Sequence, residues 1–408
     1  MLDNTRAWAE INLDAIAHNA AAVRAVTSPG AKLIGVVKAD AYGHGAVQVA
    51  GCLIESGADM LAVSQIDEAL QLRLSGIKSP ILILSDAEPE RAEELIRYSI
   101  TQTVFAPGMA KSISDAAVRT GKEAIVHIKI DSGMGRVGFR AEEPETVKKI
   151  LDIARLPNIE IEGIFTHFAV SDEAAGGQYT QQQFAAFTGV CDALRREGLD
   201  IPVRHAANSA AILRYPEMHL DAVRAGIILY GMYPSEASKA AAASLHPGFE
   251  LKPAMSFKAK ITAVKRVPAG TYLSYGCTYR TENESVIATV PVGYADGYAR
   301  SLGGRAEVLV HGRRAPVRGR VCMDQCLVDV TDLSASGIEV RPGDEAVLFG
   351  AQGNGCISPE ELAALENTIN YEIICSLSKR IPRKFIRNGV EAGVSNVLLD
   401  GCDNAVKA

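Results

Sequence analysis

No run of about eighteen apolar residues interrupts this chain, so no membrane-spanning helix is expected. The opening MLDNTRAWAEINLDAI scatters Asp3, Glu10 and Asp14 where a signal peptide needs a continuous apolar segment, so no signal peptide is expected and a cytoplasmic location is. A basic excess is missing as well. The net charge of −6 supplies no clustered Lys and Arg to neutralise phosphates, which argues against a nucleic-acid partner. Cysteine chemistry lacks its spacing: the eight cysteines lie far apart, none forms a C-x-x-C pair, and Cys322 and Cys326 have no nearby Cys or His to complete a zinc site. Reduced, mostly buried thiols and no metal are expected. What is present is ordinary globular material, 48% hydrophobic and 22% charged, in 408 residues. That length exceeds one common core and suggests two or three domains.

From residue 32 to about 230 the chain keeps one rhythm: a short apolar β-branched run, an Ala/Leu-rich helical stretch, then a Gly or Pro break. The strand candidates are 32–37, 59–63, 80–84, 101–105, 124–130, 159–165, 202–205 and 220–224, with helices such as 46–56, 89–98, 107–120 and 178–197 between them. Continuous apolar strands alternating with helices mark a parallel sheet covered on both faces. Eight such units favour a closed (β/α)8 TIM-type barrel over an open sheet. After residue 234 the texture changes. A small-residue stretch, 235–244, reads either as a helix or as a connector. Short strands separated by Gly, Pro, Asp and Asn then follow at 254–267, 285–292, 306–310, 315–318, 326–330 and 345–349. They indicate a mostly antiparallel β domain, and a last helix is expected at 358–365. The expected division is an N-terminal strand segment (1–14) packing with the β domain, the barrel (15–245), the β domain (246–388) and a tail (389–408).

In such a barrel chemistry sits at the carboxyl ends of the strands. There Lys38 follows LIGVV, Lys129 and Asp131 end IVHIKID, His167 ends IFTH, His205 and Asn208 end VRHAAN, and Arg224 ends DAVR. Taken singly, such a Lys usually snorkels to water and such a His is a satisfied core group. Together they mark an active site. Gly43 and Gly45, Asn208-Ser209 and Gly226-Ile227 lie in turns that let backbone approach an anion. A reactive lysine beside several phosphate-type donors points to pyridoxal 5′-phosphate (PLP), whose aldehyde needs an amine and whose phosphate needs a cradle.

These residues lie in stretches that resemble the bacterial alanine racemases, PLP enzymes of fold type III: VVKADAYGHG (36–45), KIDSGMGRVGF (129–139), HAANSAA (205–211), VRAGIILYG (223–231), LSYGCTY (273–279), VPVGYADGY (290–298), GRVCMDQ (319–325) and TINYEIIC (368–375). The resemblance runs from Trp8 to about Arg383. It implies a homodimer whose two active sites borrow residues across the interface, acting on alanine and supplying D-alanine for peptidoglycan. By the same resemblance Lys38 holds PLP and moves the proton on the D-alanine side, while Tyr275 of the second subunit serves the L-alanine side. Tyr42, Ser209, Gly226, Ile227 and Tyr371 match phosphate-holding positions, with Asn208 beside them. Arg224 matches the arginine on the pyridine nitrogen, and His167 the histidine linking Tyr275 towards it. Arg136 and Met323 match contacts to the substrate carboxylate, Lys129 a lysine often carbamylated, and Tyr294 a tyrosine of the access channel. Two positions depart from the pattern: Asp40 stands where Asn is usual, and Asn12 where Asp is common.

The chemistry requires this equipment. Positioned acids and bases supply roughly 10²–10⁴-fold, whereas enzymes commonly exceed about 10⁶-fold, so an electron sink is needed. Inverting a stereocentre then calls for one base on each face. The rival readings are a serine or broad-specificity racemase, a PLP-dependent decarboxylase and a PLP carrier. Tyr371, crowding a larger side chain, favours alanine over serine. Tyr275, Met323 and GYADGY favour a racemase over a decarboxylase, and the second domain opposes a carrier.

Overall fold

The computed structural model describes residues 5–399. The chain divides into two units: Ala15–Ala41 with Ala46–Lys252, and a second formed by the residues up to Asp14, Tyr42–Gly45 and the chain from Pro253.

In the first unit eight parallel strands close on themselves in the order Thr101–Val104, Ile81–Ile83, Met60–Val63, Lys32–Val36, Ala222–Ala225, Val203–His205, Ile159–Phe165 and Ala124–Asp131, which returns to Thr101–Val104. This is the (β/α)8 barrel. Met60–Val63, Ile81–Ile83, Thr101–Val104 and Ala222–Ala225 are buried at every residue, and the first two are wholly apolar because both faces are covered. The surrounding helices begin and end where local chemistry dictates. Pro107 opens the Pro107–Thr120 helix, where its missing N–H has no use, and Gly121 closes it at φ 66° in the left-handed region that favours glycine. The stretch left open as helix or connector is the helix Glu236–Leu245, capped by Ser235 Oγ accepting from the Ser238 amide at 3.1 Å. The barrel interior is not wholly apolar. His127, Lys129, Thr166, His205 and Arg224 are all buried there.

The second unit is built on a mostly antiparallel sheet. Its order is Ala263–Val267, Ser285–Val290, Cys326–Asp329, Arg313–Arg318, Glu307–Val310, Glu345–Gln352, Met255–Lys260, Ala7–Asn12, Arg383–Arg387 and Val390–Ser395. Ala7–Asn12 runs antiparallel to Met255–Lys260 and parallel to Arg383–Arg387. Lys258 Nζ meets both Glu10 carboxylate oxygens, at 2.9 and 3.0 Å, across the first of these pairings.

Four details differ from the sequence expectation. The helix expected to be last, observed as Pro359–Glu366, is followed by another, Asn370–Cys375. The run 254–267 is two strands, because the chain turns at Ile261-Thr262 and its halves pair with different neighbours. Sheet also continues past residue 388: Val390–Ser395 folds back on Arg383–Arg387, while residues 400–408 of the expected tail lie outside the described residues. The described thiols are not mostly buried. Cys52, Cys191 and Cys326 are buried, whereas Cys277, Cys356 and Cys375 are exposed. No described helix is long and apolar enough to cross a membrane.

Candidate active site

Arg224 is the centre of the barrel's polar cluster, and it is only 3% exposed. Every partner it has is a neutral acceptor. Nη1 donates to Nδ1 and to the carbonyl of His205, at 2.9 and 3.1 Å. Nη2 donates to the carbonyls of Thr166 and Ala206, at 2.8 and 2.9 Å, and more weakly to His167 Nδ1 at 3.3 Å. Among the described residues no acceptor meets its Nε–H. Burial, then the nearby Arg136, pushes its pKa down to about 9, which leaves it charged at neutral pH.

A guanidinium can only donate, so the ring nitrogens it faces must be bare. His167 Nδ1 is therefore an acceptor, and the neutral ring carries its proton on Nε2. The electrostatics agree: burial first, then Arg224, Arg136, Lys129 and Lys38, hold His167 well below the usual histidine range. Lys129 donates to the Ile130 carbonyl at 2.7 Å. Its pKa falls from 10.5 to about 7, chiefly through burial and then through Arg224. Arg136 is exposed, in the loop after Asp131, whose Oδ1 shapes that loop by accepting from the amides of Gly133, Met134 and Gly135. Ser209 Oγ accepts from the Gly226 amide at 2.9 Å, which brings two of the expected anion-binding turns together. Ile227 opens a buried 3-10 turn, Ile227–Tyr230, directly behind Gly226. Asn208 is the N-cap of Ser209–Arg214: its Oδ1 accepts from the Ala211 amide and the Ser171 hydroxyl, both at 3.0 Å.

Lys38 lies just beyond the strand Lys32–Val36, at the start of a conformation the sequence does not announce. Ala39, Asp40, Ala41 and Tyr42 all lie at φ between 53° and 55°, a single left-handed turn. Each such residue costs roughly 1–2 kcal/mol, so the surroundings must enforce it. Glu68 Oε1 accepts from the Ala39 amide at 2.6 Å, and Asp40 Oδ1 accepts from the Ala46 amide at 2.7 Å, at the start of the next helix. The turn continues into Gly43, where a Cβ would lie 2.5 Å from the Ile374 carbonyl, and the Gly43 carbonyl accepts from Arg383 Nε at 3.0 Å. Within the second unit Tyr42 faces Tyr371, ring centroids 6.1 Å apart. Burial, then Cys375, raises the Tyr42 phenol above its ordinary pKa, so this hydroxyl is a neutral donor.

Tyr275, Tyr294 and Met323 share a different setting. Their three loops are laced together: the Tyr294 and Ala295 amides donate to the carbonyls of Cys322 and Met323, both at 3.0 Å, and Ser274 Oγ donates to the Arg320 carbonyl at 2.6 Å. Gly293 has no room for a side chain, since a Cβ would fall 2.2 Å from the Cys322 carbonyl. Yet the side chains these loops present are open, Tyr275 at 71% exposure, Met323 at 52% and Tyr294 at 42%.

Residues 11–234 match the family model for the alanine racemase N-terminal domain, and residues 254–385 that for the C-terminal domain. The chain belongs to the alanine racemase family. The alanine racemase of Clostridium tetani is 46% identical over 393 residues, covering 95% of this chain and 97% of that one. Among solved structures, the alanine racemase of Clostridium difficile 630 superposes with a TM-score of 0.91 at 41% identity, covering 97% of this chain and all of that one. The Bacillus anthracis enzyme, solved with bound L-Ala-P, gives 0.88 at 40% identity, with 97% and 98% covered. The chain is accordingly a racemase, an isomerase rather than a carrier.

The residues present fit PLP on their own chemistry. Arg224 is a donor-only cation with one N–H unmet, suited to a bare pyridine nitrogen, and the Ser209 hydroxyl, which accepts from the Gly226 amide, keeps its own proton to donate to a phosphate. Phe165, like His127, was not legible in the sequence. Phe165 stacks on the His205 ring (4.7 Å, 7°), with Arg224 and Lys129 5.3 and 5.5 Å from its centroid. Its only signal was an aromatic side chain two residues before His167.

Proposed function

We propose that this chain interconverts L- and D-alanine with PLP by a two-base mechanism, as a homodimer in which Tyr275 and Met323 serve the active site of the other copy. Arg224 carries the reading. A buried guanidinium saturated by neutral acceptors, with Nε–H left over, suits an unprotonated ring nitrogen and little else. When bound, PLP supplies the sink for the electron pair left on the alanine Cα. Lys38 Nζ then exchanges a proton with Cα on the D-alanine side, and Tyr275 Oη on the L-alanine side. The His167 Nε2–H is a donor, so it suits a tyrosine oxygen that has given its proton away. Arg136 and Met323 orient the substrate carboxylate. Tyr42, Ser209, Gly226, Ile227 and Tyr371 hold the phosphate, and Tyr294 lines the access channel. Tyr371 limits the room beside the phosphate, which favours alanine over serine.

Lys129 is proposed as a carbamate. Its amine is half neutral near pH 7 and attacks carbon dioxide, forming an N–C bond and releasing a proton to water. The resulting anion is held by the arginines Arg136 and Arg224, which disfavour the ammonium form. The D-alanine formed would supply peptidoglycan in the cytoplasm.

Alanine in D₂O tests the two-base reading. Wild type turns L-alanine into D-alanine labelled at Cα. Tyr275→Phe stops racemisation but still exchanges the Cα proton of D-alanine through Lys38, whereas Lys38→Ala stops both. Racemisation at the wild-type rate in Tyr275→Phe would overturn the mechanism.

A further inference from the structure

Behind Arg224 a line of hydrogen bonds runs through the barrel to a carboxylate the reaction does not use. Arg224 Nη1 meets His205 Nδ1 at 2.9 Å, His205 Nε2 meets His127 Nδ1 at 2.9 Å, and His127 Nε2 meets Glu162 Oε2 at 3.0 Å. Both imidazoles are wholly buried, while the Glu162 side chain is 25% exposed.

The direction of every bond follows from one end. The guanidinium has no acceptor, so His205 Nδ1 must be bare and its proton must sit on Nε2. That proton occupies His127 Nδ1, which places the second ring's proton on Nε2, pointing at Glu162. A carboxylate accepts it. No other arrangement of two neutral rings satisfies all three contacts.

We propose that Glu162 and His127 are positioning residues for racemisation: through His205 they form a one-way relay that holds Arg224 in its donor orientation. Glu162 is also the remote counter-charge of a buried cation that touches no carboxylate. The groups facing the relay favour this charge pattern. His205 is held well below the usual histidine range by burial, then by Arg224, His127 and Lys129. His127 is lowered by burial against the opposing pull of Glu162, with Lys32 and Arg224 adding to the lowering. The His127 hydrogen bond draws the Glu162 pKa down, burial opposing, and Lys32 again assists. The barrel is shaped for the relay. Gly163 lies opposite His127 in the strand register, and a Cβ there would fall 2.5 Å from the His127 ring. Residue 163 is thus a glycine because the imidazole occupies the space of its side chain. Phe165, stacked on His205, fixes the plane of that imidazole.

The inference rests on the proposed function only for its kinetic arm. Neutron diffraction from deuterium-exchanged crystals of the PLP-loaded protein reads the relay without turnover: deuterium is expected on Nε2 alone in both His127 and His205. Deuterium on Nδ1 of either ring would overturn the proposal. In the kinetic arm Glu162→Leu, which cannot accept, lowers kcat for alanine about tenfold, the size of one lost hydrogen bond, with little change in KM. The same variant shifts the cofactor absorption band. Glu162→Gln, which can still accept through its amide oxygen, recovers most of both. A Leu variant with wild-type kcat and absorption would also overturn it. Were wild type inert towards alanine, the functional reading would fall while the proton positions still decided the relay.

Discussion

The polar groups of the barrel and the exposed trio of the β unit are built on opposite principles. Around Arg224 every donor except the Nε–H is matched to a particular acceptor, the rings are stacked and buried, and protonation states are forced by neighbours. Around Tyr275 the backbone is just as tightly laced, through Gly293, Ser274 and the carbonyls of Cys322 and Met323, but the side chains it presents meet solvent. A group completed by its own neighbours is part of the fold, and its loss should harm fold and function together. A rigid loop that presents open side chains is built for something outside its own unit, and its loss should harm function alone.

The largest expected effect tests the second half of that contrast. Tyr275→Phe should lower kcat by roughly 10²–10⁴-fold, the usual contribution of a positioned acid or base, while the melting temperature stays at the wild-type value. A lower melting temperature would mean that the tyrosine is structural after all. Next comes Gly163→Ala, well away from any reacting atom. The added methyl collides with the His127 ring, and overpacking of this kind costs about 1–3 kcal/mol, to be read from chemical denaturation along with reduced racemisation.

A smaller effect follows from pH. His127, His167 and His205 are all depressed in the folded state. The unfolded chain therefore takes up protons that the fold refuses. Their contribution is complete above the ordinary histidine pKa of about 6.5 and is lost progressively as pH falls below it. Lys129 acts with the same sign in a higher window. Its penalty is full below its folded pKa of about 7 and fades as pH rises towards the ordinary 10.5. Stability measured against pH should thus climb from the acid side and, with Lys129 as the proposed carbamate, level off above neutrality, whereas a free Lys129 amine would keep a further rise. A decline across pH 5–7 would contradict the neutral-ring assignment. The smallest effect is Asp40→Asn, expected within about 0.5 kcal/mol of wild type because either side chain offers the oxygen that accepts from Ala46.

The same contrast explains what could be read from the sequence. Barrel strands such as Met60–Val63 and Ile81–Ile83 were legible because being buried on both faces writes an uninterrupted apolar run, and the strand-end polar residues because a parallel barrel places them at one rim. The left-handed turn at Ala39–Tyr42 was not, since nothing in Ala-Asp-Ala-Tyr favours positive φ and only tertiary contacts through Glu68, Asp40 and Arg383 impose it. Phe165 and the Glu162–His127 pair were hidden for a related reason. They act between strands that are neighbours in space but about 35 residues apart or more in the chain, a separation no local pattern records. The strand Val390–Ser395 was missed because its residues are mostly exposed or half-buried and show little apolar alternation.

Mixing two inactive variants tests the central claim most directly. Lys38→Ala and Tyr275→Phe subunits, denatured together and refolded, should form dimers of which half are mixed. Each mixed dimer holds one site with both bases intact, so about a quarter of wild-type activity should return if sites are shared between copies. Each variant refolded alone should stay inactive. If the mixture stayed as inactive as its components while size measurements showed mixed dimers, each site would draw both bases from one chain, and the exposed Tyr275 trio would not serve the other copy.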